Sequence, residues 1–169
     1  MKYRFDPNNL KMAFFDFDST ICQHGPLIAT VPHDKVDQAL LSGSYIYEDC
    51  YAPDVMKHIV ADLQSLGIRL YVLTALETSI RYDQKVRFTR SNYDTAFLEV
   101  ISCWPADRKI EVIQKYMHSV HAQPDQCLLV DDEWSVLTLA DNAGIRTVHP
   151  LRLICDNIDN PSGFKLYET

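Results

Sequence analysis

Residues 12–20 read Met12-Ala13-Phe14-Phe15-Asp16-Phe17-Asp18-Ser19-Thr20, and the reading of the whole chain turns on this stretch. Four apolar residues in a row, then Asp and Phe, predict a buried strand over 12–17. Carboxylates at i and i+2 on a strand point to one side, because the side-chain period is two. Asp16 and Asp18 would then sit together at the strand end as like charges. That is costly unless a cation or a shared proton relieves it. A hard divalent cation with oxygen ligands, such as Mg2+, suits the pair. The plainer reading is a polar turn, since Asp, Ser and Thr are ordinary loop and N-cap residues.

The chain has 169 residues, 47% hydrophobic and 23% charged, which fits one domain with its own core. A net charge of −7 argues against a nucleic-acid partner, which asks for a basic surface. No apolar run is long enough to span a membrane, and the first residues lack a signal-peptide core. Five scattered cysteines, with no Cys-x-x-Cys pair, fit reduced thiols in a cytoplasmic protein. Cys22, close to the Asp pair, reads as a buried structural thiol.

Strand and helix signals alternate along the chain. After 12–17, a stretch through Pro26, Pro32 and Gly43 has no clear helical period. It holds a candidate short helix over 34–41 and a candidate short strand over 45–47. Pro53-Asp54 opens an amphipathic helix with Val55, Ile59, Leu63 and Leu66 in phase, closed by Gly67. Strands follow over 68–73, 97–101, 127–130 and 145–148, and helices over 77–89, 107–118 and 135–143. The tail from Pro150 reads as irregular. The alternation predicts an α/β fold: a Rossmann-like three-layer α/β/α sandwich around a mainly parallel sheet. The domain covers 1–150 with an insert at about 22–52, and 151–169 is a tail packed on it or irregular.

Ligands of such folds bind beyond the carboxyl ends of the strands. Asp16 and Asp18, Thr74, and Asp131 with Asp132 all fall at predicted strand ends, and Lys109 opens a helix. Together they suit phosphoryl transfer from a monoester. Asp16 would be the carboxylate nucleophile. Asp18 would protonate the leaving oxygen and later activate water. Thr74 and Lys109 would hold the phosphoryl oxygens. Asp16, the Asp18 carbonyl and Asp132 would hold Mg2+, with Asp131 in support. Each residue also has a plainer reading: Thr74 as a cap, Lys109 as a solvated lysine with Arg108 and Lys115 as rivals, Asp131 and Asp132 as N-caps.

These residues, in this order, resemble the haloacid dehalogenase superfamily of phosphatases. Phe15-Asp16-Phe17-Asp18-Ser19-Thr20 matches its first motif, Leu73-Thr74 its second, Lys109 its third and Val130-Asp131-Asp132 its fourth. The resemblance covers roughly residues 10–150 and includes the turn Asn142-Ala143-Gly144-Ile145. It implies an Mg2+-dependent phosphatase with an aspartyl-phosphate intermediate, and Asp18 separates phosphatases from dehalogenases. Leu63-Gln64-Ser65-Leu66-Gly67-Ile68, Trp104-Pro105 and Val130-Asp131-Asp132-Glu133 are similar to the magnesium-dependent phosphatase group. That group is capless and includes activity towards phosphotyrosine. Ser19 and Ala75-Leu76-Glu77 depart from its pattern. The segment 22–52 is too short for a large cap, so a phosphoprotein is among the substrates implied, beside small metabolites.

Other residues read as structural. Arg81, Lys85, Arg87 and Arg90 predict a solvated basic helix face, and Tyr45, Tyr47 and Tyr51 the packing of a small flap. His24 and His33 read as loop histidines. Competing functions are a polynucleotide 3′-phosphatase, a small-metabolite phosphatase, a signalling receiver domain, and a phosphate-binding protein without turnover.

Overall fold

The computed structural model describes residues 6–25, 35, 36, 38, 39, 42, 43, 45–76 and 79–158. Five parallel strands form one sheet in the order β3-β2-β1-β4-β5. They are β1 Met12–Phe15, β2 Arg69–Ala75, β3 Glu99–Cys103, β4 Cys127–Val130 and β5 Arg146–Val148. The helices are α1 Asp54–Ser65, α2 Ser79–Tyr93, α3 Lys109–Ser119, α4 Trp134–Asn142 and α5 Pro150–Ile158. This is the expected three-layer α/β arrangement.

Side-chain parity assigns the layers. Ala13 and Phe15 of β1, Leu70 and Val72 of β2, and Leu128 and Val130 of β4 join one core cluster with α1 and α2. Met12, Phe14, Tyr71, Leu73, Cys127 and Leu129 join the opposite cluster with α3 and α4. Both faces of β1 are covered, so its residues are apolar without alternation. Phe14 and Phe15 are fully buried, and truncating either ring would cost about 3–5 kcal/mol.

Helix ends deliver the chain to the strands. α1 closes with Gly67 at φ +76°, where Gly67 donates to Gln64 and Ile68 donates to Leu63. α3 closes the same way, but His121 holds the left-handed position, at φ +50°. A side chain there is strained where glycine is not. His121→Gly is therefore expected to raise stability by about 1 kcal/mol. A urea melt reads this directly, and an unchanged midpoint would mean the His121 side chain offsets the strain.

Several expectations need correction. β1 ends at Phe15, and Phe17 to Cys22 form a turn in which Thr20, Ile21 and Cys22 all donate to the Phe17 carbonyl. Asp18 is therefore on a turn, with Ser19 at φ +57°, rather than on the strand beside Asp16. Residues 46–49 are turn rather than strand: the Glu48 N–H donates to the Tyr45 carbonyl and the Cys50 N–H to the Tyr47 carbonyl. Lys35, Val36, Gln38 and Ala39 are helical, and the rest of 34–41 lies outside the described residues. The tail begins with a helix, α5, whose buried Leu153 joins the α1 cluster. β3 begins two residues later than expected, with Phe97 buried ahead of it. Among the described residues no helix is long and apolar enough to cross a membrane.

Candidate active site

β1 and β4 lie side by side, yet the chain leaves β1 for β2 on one side and β4 for β5 on the other. Their carboxyl ends form the crevice where such sheets bind ligands. Asp16 continues β1 by donating its N–H to the Val130 carbonyl at 2.8 Å. Its parity matches Met12 and Phe14, so it faces the α3 layer, as does Asp131 after β4. Lys109, the first residue of α3, meets both. Its Nζ donates to Asp16 Oδ1 at 2.5 Å and to Asp131 Oδ2 at 2.7 Å. All three side chains are buried. Asp131 Oδ1 accepts the Glu133 N–H at 3.0 Å, so both its oxygens are engaged.

Thr74 has the opposite parity and faces the α2 layer. There Lys85 donates to Thr74 Oγ1 at 2.6 Å and to Asp18 Oδ2 at 2.5 Å. Asp18 Oδ1 lies 2.8 Å from His24 Nε2. Lys85 is 1% exposed, which corrects its reading as part of a solvated face; Arg87 and Arg90 do not share its deep burial. Lys85 is in phase with the buried Phe88, Thr89 and Tyr93 of α2, and that phase is its signal in the sequence. Arg108 and Lys115, the rivals of Lys109, are exposed. His24 is a partner of Asp18 rather than a bystander, whereas His33 lies outside the described residues.

The electrostatics divide the two aspartates. Burial pushes the Asp16 carboxyl up to about 7, against the pull of Lys109 and with a further push from Asp131. Burial also raises Asp18, but its hydrogen bond with His24 and the Lys85 ammonium overcome this and hold it at about 2. The bond to Asp18 raises His24. Burial lowers Lys109, and the charges of Asp16 and Asp131 outweigh it, so its pKa ends above the usual value. Burial pushes the Cys22 thiol far up, which leaves it inert as a nucleophile at neutral pH.

Oxygens of Asp16, Asp131 and Asp132 lie within 4.8 Å of one another. A donor set of carboxylate oxygens alone fits a hard divalent cation such as Mg2+. Burial and the charge of Asp131 both raise Asp132, and a bound cation would reverse that push. The Asp18 carboxylate is not part of this cluster; it belongs to Lys85 and His24.

Among the described residues of the insert, His24 lies against Asp18. Gln23 and Tyr51 exchange backbone hydrogen bonds of 2.8 and 3.1 Å at the base of the insert. The Ile46 N–H donates to Gln84 Oε1, and Arg87 lies 4.4 Å from the Tyr45 ring centroid. Tyr45 and Tyr47 therefore pack the insert onto α2, while Tyr51 is exposed.

No protein-family model matches the chain, and no curated protein matches it in sequence. Solved structures do match. A haloacid dehalogenase-like family hydrolase from Streptococcus pneumoniae superposes with a TM-score of 0.55 at 16% identity, over 82% of this chain and 83% of that chain. A structure described as a predicted phosphoglycolate phosphatase from Haemophilus somnus gives 0.59 at 16% identity, over 83% and 85%. A magnesium complex of a HAD family enzyme from Bacteroides thetaiotaomicron gives 0.57 at 10% identity, over 84% and 93%. The chain shares its fold with these haloacid dehalogenase-like structures. The receiver-domain alternative is set aside by sheet order, since receivers follow 2-1-3-4-5.

Proposed function

We propose that the chain is an Mg2+-dependent phosphomonoester hydrolase that works through an aspartyl-phosphate on Asp16. The observation that carries this is the Lys109 ammonium joining Asp16 to Asp131, with Asp132 alongside, at the carboxyl ends of β1 and β4. Asp16 and Asp132 would hold the ion directly, with the Asp18 carbonyl. Asp131, whose oxygens are taken by Lys109 and Glu133, supports them. When bound, the ion offsets repulsion between carboxylate and phosphate.

Asp16 attacks phosphorus, and the bond to the ester oxygen breaks. The leaving oxygen takes a proton from Asp18. Asp18 then accepts a proton from water as that water attacks the phosphoaspartate, releasing phosphate and restoring Asp16. Thr74 and Lys109 donate to the phosphoryl oxygens. Asp18 is ionised at rest, so it takes up its proton only as a contact loosens. His24, at 30% exposure the more open of its two partners, is the one a leaving group meets.

The substrate class is a phosphomonoester, with phosphotyrosine in a protein as one candidate. Small phosphorylated metabolites are the other candidate, supported by a fold neighbour described as a predicted phosphoglycolate phosphatase. Nucleic acid is disfavoured by the charge of −7. The deciding test is a panel of p-nitrophenyl phosphate, phosphotyrosine peptide, phosphoglycolate and 3′-phosphorylated DNA, each with Mg2+ and with EDTA. Mg2+-dependent release of phosphate is expected, with the best substrate naming the class. Binding of Mg2+ without turnover on any member would favour a phosphate-binding protein instead.

A further inference from the structure

Lys85 falls outside the four motifs, yet it is as deeply placed as Lys109. Its Nζ reaches Asp18 Oδ2 at 2.5 Å and Thr74 Oγ1 at 2.6 Å, and it lies 4.7 Å from the Phe17 ring centroid. An ammonium only donates hydrogen bonds. Thr74 Oγ1 is therefore the acceptor, and the hydroxyl hydrogen of Thr74 is turned away from Lys85. Asp18 is likewise held by one oxygen, with Oδ1 left to His24 on the open side.

We propose that Lys85 is a positioning residue for phosphoryl transfer, aiming the Thr74 hydroxyl at the phosphoryl oxygens and the Asp18 Oδ1 at the leaving group. This rests on the phosphatase reading above. Two observations favour a working role over a merely structural one. First, Lys85 lies over the Phe17 ring, which itself packs against Phe88 and Tyr47, and a hydrophobic side chain would pack on that ring without the desolvation cost of an ammonium. Second, the two buried lysines divide the site. Lys109 comes from the α3 layer and serves the nucleophile and Asp131. Lys85 comes from the α2 layer and serves the acid and the phosphate-binding hydroxyl. Each lysine is thus committed to its own pair of partners, and they share none.

The test compares wild type with Lys85→Met, a shape-preserving change without charge, and Lys85→Gln, which keeps a neutral donor. Two substrates share the phosphoryl group but differ in leaving group: p-nitrophenyl phosphate, which departs with little help, and glycerol phosphate, which needs a proton. In Lys85→Met, kcat is expected to fall at least about tenfold further for glycerol phosphate than for p-nitrophenyl phosphate. Affinity for orthovanadate, read by calorimetry, is expected to fall about tenfold. In a Thr74→Val background the same change should cost vanadate affinity little more. Lys85→Gln should recover part of the leaving-group ratio. Equal losses on both substrates, or unchanged vanadate affinity, would overturn the proposal and leave Lys85 a structural pin between α2 and the β1 turn. If Lys85→Met does not fold, the same ratio in Lys85→Gln decides. Wild type inactive on both esters with Mg2+ would instead refute the phosphatase reading, and the proposal with it.

Discussion

Asp16→Asn should remove turnover on every phosphomonoester, a fall on the order of 10⁵-fold or more, as loss of a covalent nucleophile does elsewhere. An amide nitrogen or oxygen does not displace an alkoxide from phosphorus, and the neighbouring carboxylates among the described residues have other roles, Asp132 as a ligand of the ion. Asp18 is held by Lys85 and His24, and Asp131 by Lys109 and the Glu133 N–H. The folded protein should survive the change. Burial raises Asp16 to about 7 from a usual 3.8, so its ionised form is disfavoured in the native state. Between those values the native state binds more protons than the unfolded chain. Without metal, Asp16 thus costs stability progressively as pH rises from about 3.8 to about 7. The Asp16→Asn variant should flatten that part of the profile and melt no lower than wild type in EDTA above pH 7. Thermal melts across this range and a phosphate-release assay check both halves. Retained turnover would end the aspartyl-phosphate mechanism, and a sharp loss of Tm would mean Asp16 is chiefly structural.

What the sequence discloses about this site depends on where each residue sits. Asp16, Thr74, Asp131 and Lys109 lie at or beside the junctions between strands and the segments that follow, and a change of hydrophobic period marks such junctions. Lys85 lies mid-helix among Arg81, Arg87 and Arg90 and looks like one more surface cation. Only its phase with Phe88 and Tyr93 sets it apart, and only the folded chain shows that Asp18 and Thr74 await it. The same limit hides the place of Asp18. An i, i+2 spacing implies one face only while the strand continues, and β1 stops at Phe15. The polar end of α5 obscures that helix, although Pro150 at its start and Leu153 and Ile154 in its middle are consistent signals. Tyr45 to Tyr47 shows the opposite error: aromatic residues favour strands, but here the backbone closes local turn hydrogen bonds, from Glu48 to Tyr45 and from Cys50 to Tyr47.

Lys109→Met should produce a large loss of stability. Lys109 is the cation between two buried carboxylates, and removing one member of a buried ion pair costs about 3–5 kcal/mol. The cost falls on Asp16 and Asp131 together, with Asp132 within the same 4.8 Å cluster. Without Lys109, the desolvation that already raises Asp16 acts unopposed, so the carboxyl moves further up and the variant takes up a proton on folding. The loss should therefore be greater above pH 7 than well below it, since protonation relieves the repulsion at low pH. Saturating Mg2+ should restore part of it, because a divalent cation that binds only the native cluster stabilises by mass action. Turnover should stay low even then, by about 10²–10³-fold, because the ion does not replace the ammonium on the phosphoryl oxygens. Urea melts in EDTA and in Mg2+, above and below the Asp16 value, separate these effects. A Lys109→Met protein as stable as wild type in EDTA would mean that the carboxylates never needed Lys109, and that α3 is held to β1 and β4 by its apolar face of Ile113 and Met117 alone.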